Sequence, residues 1–207
     1  MSHTEIDRLA VLAIPRSYQK DEWIVHYGDI WAYLFIVEKG TIIALKESIE
    51  GRSLIVTTIK AGEIFWGLAF FKDDAPMPVA LVASEACRIH LWPRERLLPI
   101  LLKNGRMSWE LSRLMVKRMQ QASEIVEDLA FRSVAGRLAH LLVERYQSPS
   151  TDPVARDLTL DEMAARIGTT REMVCRALYS FADDNMIEIT RTEFVFTNRE
   201  KLAKFAQ

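Results

Sequence analysis

The stretch "TTREMVCRAL" carries four side chains able to read a chemical pattern: Arg171, Glu172, Cys175 and Arg176. Their spacing puts them on one side of a helix. Arginine matches the O6 and N7 acceptors of guanine, and glutamate accepts from cytosine N4. Val174, Ala177, Leu178 and Phe181 form the opposite, apolar face. Thr170 has the chemistry of an N-cap. The backbone amides near Thr169 and Thr170, with the helix dipole, suit a phosphate. This set recognises base edges and has no bond-making chemistry.

Those residues need an element to aim them. In "LTLDEMAARIG" Thr159 stands three residues before Glu162, the spacing of a capping box. Met163, Ala164 and Ile167 make an apolar face, and Gly168 can end the helix with positive φ. Helix, glycine turn and helix is the helix-turn-helix, whose second helix enters the major groove. The alternating "IEITRTEFVFT" that follows predicts a wing hairpin, with Arg191 and Thr192 near a tip that can touch phosphate. From Arg132 to Gln207 there are 11 basic and 11 acidic residues, so any nucleic-acid contact rests on a local patch. Ordinary helical packing produces the same pattern without DNA binding.

Other chemistry is absent. The whole chain of 207 residues has 27 basic and 28 acidic side chains, giving no global positive field. Two distant cysteines, Cys87 and Cys175, form no disulfide framework, four-cysteine zinc site or iron–sulfur cluster. The histidines are scattered, with no His-x-His, nucleophile elbow or P-loop, so no enzyme is expected. The N-terminal run is neither a signal peptide nor a span, which predicts a cytoplasmic protein without membrane contact.

The fold expected is α+β in three parts. Residues 1–106 read as an antiparallel, jelly-roll-like β-roll, because β-branched and aromatic runs are punctuated by Gly28, Gly40, Gly51 and Gly62. Alternation sends Cys87, Ile89 and Leu91 inward and His90 outward. Residues 107–132 lack glycine and proline and predict one long helix. Leu111, Met115, Arg118, Ala122, Ile125 and Leu129 lie on a narrow heptad-like stripe that suits the seam of a parallel homodimer. Residues 133–207 form the winged helix-turn-helix, entered through the exposed linker "SPSTDPVARD", Ser148 to Asp157.

In this order the parts resemble the cyclic AMP receptor protein and fumarate–nitrate regulator (CRP/FNR) family of bacterial transcription factors. The likeness runs from about Arg16 to the C-terminus and includes the "LAFRSVAGRLAHLL" hinge and "TTREMVCRAL". It implies a homodimer on double-stranded DNA, with RNA polymerase as a further partner. Arg171, Glu172 and Arg176 would read TGTGA-like half-sites of an inverted repeat.

The same resemblance questions the effector. Family members that bind cyclic nucleotides grip the ribose and phosphate with a Gly-Glu and an Arg-Ser pair. Here those positions are Trp66 and Gly67, then Met77 and Pro78; the adenine-contacting Thr-Ser pair becomes Ala122 and Ser123. Cyclic AMP is therefore not the expected effector. An uncharged guest could sit among Phe65, Trp66, Leu68, Phe70 and Met77, with Arg118 and Met119 of the long helix. Alternatively the roll is filled by its own side chains, or holds haem as in the family's gas sensors. His26 and His90 lie in the roll, whereas His3 and His140 lie outside it. A DNA-binding architectural protein without any effector is the other alternative.

Overall fold

The computed structural model describes residues 3–146 and 152–206. The linker positions from Ser148 to Thr151 lie outside the described residues. The chain forms two compact units: one from the chain up to Lys46 with Val56–Gln121, the other from Glu47–Ile55 with Ala122 onward.

The first unit begins with helix α1 (His3–Leu12), followed by strands β1 (Ile14–Tyr18), β2 (Trp23–Val25), β3 (Tyr33–Lys39), β4 (Thr41–Glu47) and β5 (Ser53–Lys60). After β6 (Ile64–Trp66) and a short 3-10 turn at Leu68–Phe70 come β7 (Ala80–Ala83) and β8 (Cys87–Pro93). They build two four-stranded sheets, ordered β1-β8-β3-β6 and β2-β7-β4-β5. Neighbouring strands pair antiparallel, for example β3 with β8, Phe35 opposite Leu91, and β4 with β7, Ala44 opposite Leu81. This is the expected antiparallel roll.

Strand alternation decides what each face buries. Phe35, Val37, Cys87, Ile89 and Leu91 join Ile42, Ile59, Met77 and Leu81 in the interior of the roll. Leu34 instead packs with Phe70, Leu97 and Leu101, beneath helix α2 (Arg94–Leu101). Burying one such side chain contributes about 1.5–3 kcal/mol. Gly67 marks a close approach: a Cβ there would lie 1.8 Å from the carbonyl oxygen of Trp31.

Helix α3 (Gly105–Phe131) follows, 27 residues long, with Asn104 Oδ1 accepting from the Met107 amide at 3.1 Å. Ser133 caps helix α4 (Val134–Arg145) through the Gly136 amide, so the hinge foreseen at "LAFRSVAG" is a helix end and a new N-cap.

Strand β9 (Val154–Ala155), helices α5 (Leu160–Ile167) and α6 (Arg171–Asp183), strands β10 (Glu188–Ile189) and β11 (Glu193–Val195), and helix α7 (Arg199–Phe205) complete the second unit. Its core gathers Leu138, Leu142, Met163, Val174, Phe181, Ile187 and Phe194. Two details depart from expectation. The second half of the linker is β9, the outer strand of a β10-β11-β9 sheet, because Arg156 N–H donates to Thr192 O at 2.7 Å. A terminal helix, α7, also forms behind the wing, capped by Asn198 through the Lys201 amide.

Candidate nucleic-acid interface

The helix pair is set by local chemistry. Thr159 Oγ1 accepts from the Glu162 amide at 3.1 Å, and Glu162 Oε2 accepts from the Thr159 amide at 2.7 Å, closing the capping box. Gly168 then adopts φ 63°, and its amide donates to Ala164 O. A side chain there would also press on Leu129 Cδ2, 2.8 Å from the added Cβ. Thr170 caps α6 by accepting from the Met173 amide at 3.4 Å.

Helix α6 buries Val174, Ala177, Leu178 and Phe181. Arg171, Glu172 and Arg176 are consequently exposed, and Cys175 is half-buried beside them. Sequence reasoning missed one neighbour. Tyr179 is 70% exposed and stands seven residues after Glu172, hence on the same face. The spacing that gathers Glu172 and Arg176 also reaches Tyr179, and an exposed tyrosine offers a ring and a hydroxyl to a partner.

The face is charged but only partly free. Arg171 Nη1 lies 3.0 Å from Asp161 Oδ2 of α5. The Glu172 carboxyl is held below the usual carboxylate range by its own backbone amide and the Thr170 hydroxyl, with help from Arg171 and Arg176. It is therefore an acceptor at neutral pH. In the wing, Thr190 Oγ1 accepts from the amides of Thr192 (3.4 Å) and Glu193 (2.9 Å). That turn leaves Arg191 exposed at the tip. Thr169 and Thr170 sit half-buried at the start of α6.

In the roll, the side chains expected to line one pocket belong to two layers. Phe65 and Met77 pack with the interior cluster, Met77 being 1% exposed. Trp66 and Phe70 pack instead with Leu34, Leu97 and Leu101. Leu68 and Pro78 are exposed and Gly67 is buried. Alternation along β6 turns the backbone positions of Phe65 and Trp66 toward different clusters, while their rings still stack with centroids 5.6 Å apart. Met77 N–H donates to Asp29 O at 2.9 Å and its carbonyl accepts from Gly28 at 3.0 Å, pinning an apolar side chain in the roll.

Helix α3 divides the expected stripe within the single chain, leaving Met115, Ala122 and Leu129 exposed. Arg118 is drawn into its own roll: Nη1 donates to Thr57 Oγ1 at 3.0 Å, Nη2 lies 3.7 Å from Glu63 Oε2, and the guanidinium sits over Phe65. Leu111, Arg118 and Ile125 are half-buried within the chain. Met115, Met119, Ala122, Val126 and Leu129 are exposed, together with Ser123. The free apolar stripe thus shares Met115, Ala122 and Leu129 with the expected one and adds Met119 and Val126.

Among the histidines of the roll, His90 Nε2 lies 2.6 Å from Glu38 Oε2 and His26 stacks on Trp23. No group of three or more His, Cys, Asp or Glu gathers as a metal site among the described residues. None of their helices is long and apolar enough to cross a membrane.

Comparison with known proteins matches residues 15–104 to the cyclic nucleotide-binding domain and residues 136–205 to the Crp-like helix-turn-helix domain. The chain is 26% identical over 202 residues to the cAMP-activated global transcriptional regulator Vfr of Pseudomonas aeruginosa, covering 94% of each chain. It is 26% identical over 174 residues to the cAMP-activated regulator CRP of Salmonella typhimurium, covering 82% of this chain and 83% of that one. In fold it resembles the c-di-GMP responsive regulator CLP of Xanthomonas campestris, with TM-score 0.82 and 20% identity, over 94% of this chain and 99% of that one. A CRP/FNR regulator of Thermus thermophilus gives TM-score 0.74 at 20% identity, over 93% and 98%.

Proposed function

Because this chain belongs to the CRP/FNR family of DNA-binding transcription regulators, we propose that it acts as a two-fold dimer whose effector is not cyclic AMP. It reads an inverted repeat with TGTGA-like half-sites. The observation that carries the reading is the exposed row Arg171, Glu172 and Arg176 at the amino end of α6, backed by a fully apolar inner face. Arg171 and Arg176 supply donor forks for guanine, and ionised Glu172 accepts from cytosine. Thr169, Thr170 and Arg191 hold the backbone on either side.

The dimer is supported by the exposed stripe of α3 from Met115 to Leu129. A second copy would cover it and place the two reader helices about 34 Å apart, one turn of DNA. The relatives' activation by cyclic AMP does not carry over, because two gripping positions lack the chemistry. At Gly67 a side chain collides with Trp31 O, and Met77 is an apolar residue sealed into the roll. A buried cyclic phosphate without its arginine loses a charge-assisted pair. The regulator works in the cytoplasm with RNA polymerase, as the family resemblance implies.

The test is fluorescence anisotropy with a TGTGA inverted repeat and a scrambled duplex at fixed salt, with and without millimolar cyclic AMP. The repeat should bind at least about 1000-fold more tightly than the scrambled duplex, unchanged by the nucleotide. Equal affinity for both duplexes overturns the half-site, and clear tightening by cyclic AMP overturns the effector reading.

A further inference from the structure

A groove of about 490 Å³ opens on the outer face of the β1-β8-β3-β6 sheet, the side opposite the roll interior. Leu34, Ile36 and Ile64 form its floor, and Leu97, Leu111 and Leu114 are among its walls. Its volume falls within the range of small-molecule sites, about 300–1,000 Å³, and its lining is mostly apolar, with Arg106 and Glu110 at the edge. None of the residues just discussed for DNA or cyclic nucleotides lies in it.

A smaller cavity of about 290 Å³ meets this groove at Met107 and has the opposite chemistry: Arg8, Lys103 and Asn104 border it. Arg106 stands on the rim of the large groove. Arg8, Lys103 and Arg106 are exposed and form no ion pair among the described residues. Two acids lie nearby. Glu110 is engaged by Arg113 at 3.3 Å, and Asp7 borders the neighbouring depression beside Arg8. Positive charge is therefore in excess where the apolar groove ends. The amino end of α3 adds a partial positive charge in the same place.

We propose that this pair of cavities binds a single-chain acyl amphiphile with an anionic head. The hydrocarbon tail lies in the groove, and a carboxylate or phosphate head sits among Arg8, Lys103 and Arg106. The apolar groove does not suit a nucleotide base, which would leave its polar edges unpaired against leucine and isoleucine. Trp92 Nε1 donates to Leu9 O at 2.8 Å and so ties α1 beside the groove, making indole fluorescence sensitive to its filling.

The test uses the full chain without DNA, so its failure leaves the DNA-reading proposal standing. Decanoate, decyl phosphate and decanol are titrated below their micellar concentrations by calorimetry, with tryptophan emission followed in parallel. The anionic ligands should bind with Kd on the order of tens of micromolar, and decanol about tenfold more weakly; the tighter anion identifies the head group. The double variant Arg8→Ala/Arg106→Ala should weaken anion binding roughly tenfold and leave decanol unaffected. Leu114→Trp should fill the groove and abolish binding of all three; should that variant unfold, the surface double variant still decides. Equal binding of decanol and the anions, wild-type affinity in the double variant, or no binding by the native chain overturns the proposal.

Discussion

Arg137 Nε donates to the carbonyl oxygen of Ile167 across 2.8 Å, joining α4 to the last turn of α5. The same guanidinium gives Nη1 to Arg132 O at 2.7 Å, just beyond the end of α3. One cation thus satisfies carbonyls at two helix ends that have no intrahelical donors. Burial pulls the Arg137 pKa down while Asp128 opposes the shift, and the group stays charged at physiological pH.

Arg137→Ala should therefore destabilise the second unit by about 1.5–3 kcal/mol, the range for hydrogen bonds to a charged group. Arg137→Lys should recover little of this, since one ammonium cannot span both carbonyls as the planar fork does. Urea denaturation checks both; full rescue by lysine would reduce the role of Arg137 to charge alone.

The reader helix makes a split prediction. Arg176→Ala should cost about 1–3 kcal/mol on the TGTGA repeat and relax preference at one base of each half-site. Uniform weakening across all sequences would make Arg176 a phosphate contact instead. Asp161→Asn should act in the opposite direction. It releases Arg171 from its 3.0 Å ion pair, and DNA affinity should rise by up to about fivefold, the worth of an exposed pair. Anisotropy titrations of the two variants on matched duplexes separate these outcomes.

The parts of this protein legible in sequence are those decided within a few residues. The Thr159–Glu162 capping box, the left-handed Gly168 and the buried face of α6 are all local, and the structure has each where the pattern puts it. The antiparallel roll was equally readable from alternation in "CRIHLWP". What sequence does not show depends on distant partners. The α3 stripe is divided because Arg118 finds Thr57, 61 residues away, and no heptad pattern contains that information. Phe65 and Trp66 stack on each other yet pack against different clusters, a division set by residues distant in sequence. The groove beside α1 draws on the outer faces of three strands, β3, β6 and β8, and on α2 and α3, and has no linear signature.

Restoring the family's carboxylate should fail. Gly67→Glu places a Cβ 1.8 Å from Trp31 O, a collision with backbone that no rotamer relieves. The substitution should destabilise the first unit by at least about 2 kcal/mol. Combined with Met77→Arg, it should still yield no cyclic AMP binding by calorimetry. Micromolar binding in the double variant would mean the roll adapts more readily than its packing indicates.

Acid should loosen the wing through Asp157. Its carboxylate accepts from Arg145 Nε at 2.9 Å and from the Tyr146 hydroxyl at 2.6 Å. Arg145 holds its pKa below the ordinary value, with Tyr146 adding to the shift and burial opposing it. A depressed folded pKa means stability present above the unfolded value, about 3.9, and lost as pH falls through the folded one. Because Asp157 is about half exposed, the contribution is roughly 0.5–1 kcal/mol after screening. Tyr146 is pushed up to about 12, first by burial and then by Asp157, so its share is lost only as pH rises from about 10 through 12. Asp157→Asn should flatten the acid limb of the melting-temperature profile and lower the Tyr146 pKa, read by tyrosinate absorbance. An unchanged acid limb would remove Asp157 from the account.

The divided stripe on α3 gives the sharpest test of the dimer. A seam phased on Leu111, Arg118 and Ile125 and one phased on Met115, Met119, Ala122, Val126 and Leu129 respond to different substitutions. Met119 is 67% exposed and Val126 is 66% exposed in the single chain, so Met119→Glu or Val126→Glu costs little folding energy by itself. In a dimer each puts two carboxylates into one apolar interface, and the self-association constant should fall at least about 100-fold. Arg118→Gln, whose parent side chain is engaged with Thr57 and Glu63, should lower the stability of the first unit but leave association near wild type. Analytical ultracentrifugation at micromolar concentration, beside thermal melts, measures both quantities. A dimer that survives both glutamates but dissociates with Arg118→Gln would return the seam to the phase of the heptad pattern, and a wild-type chain that sediments as a monomer would remove the dimer altogether.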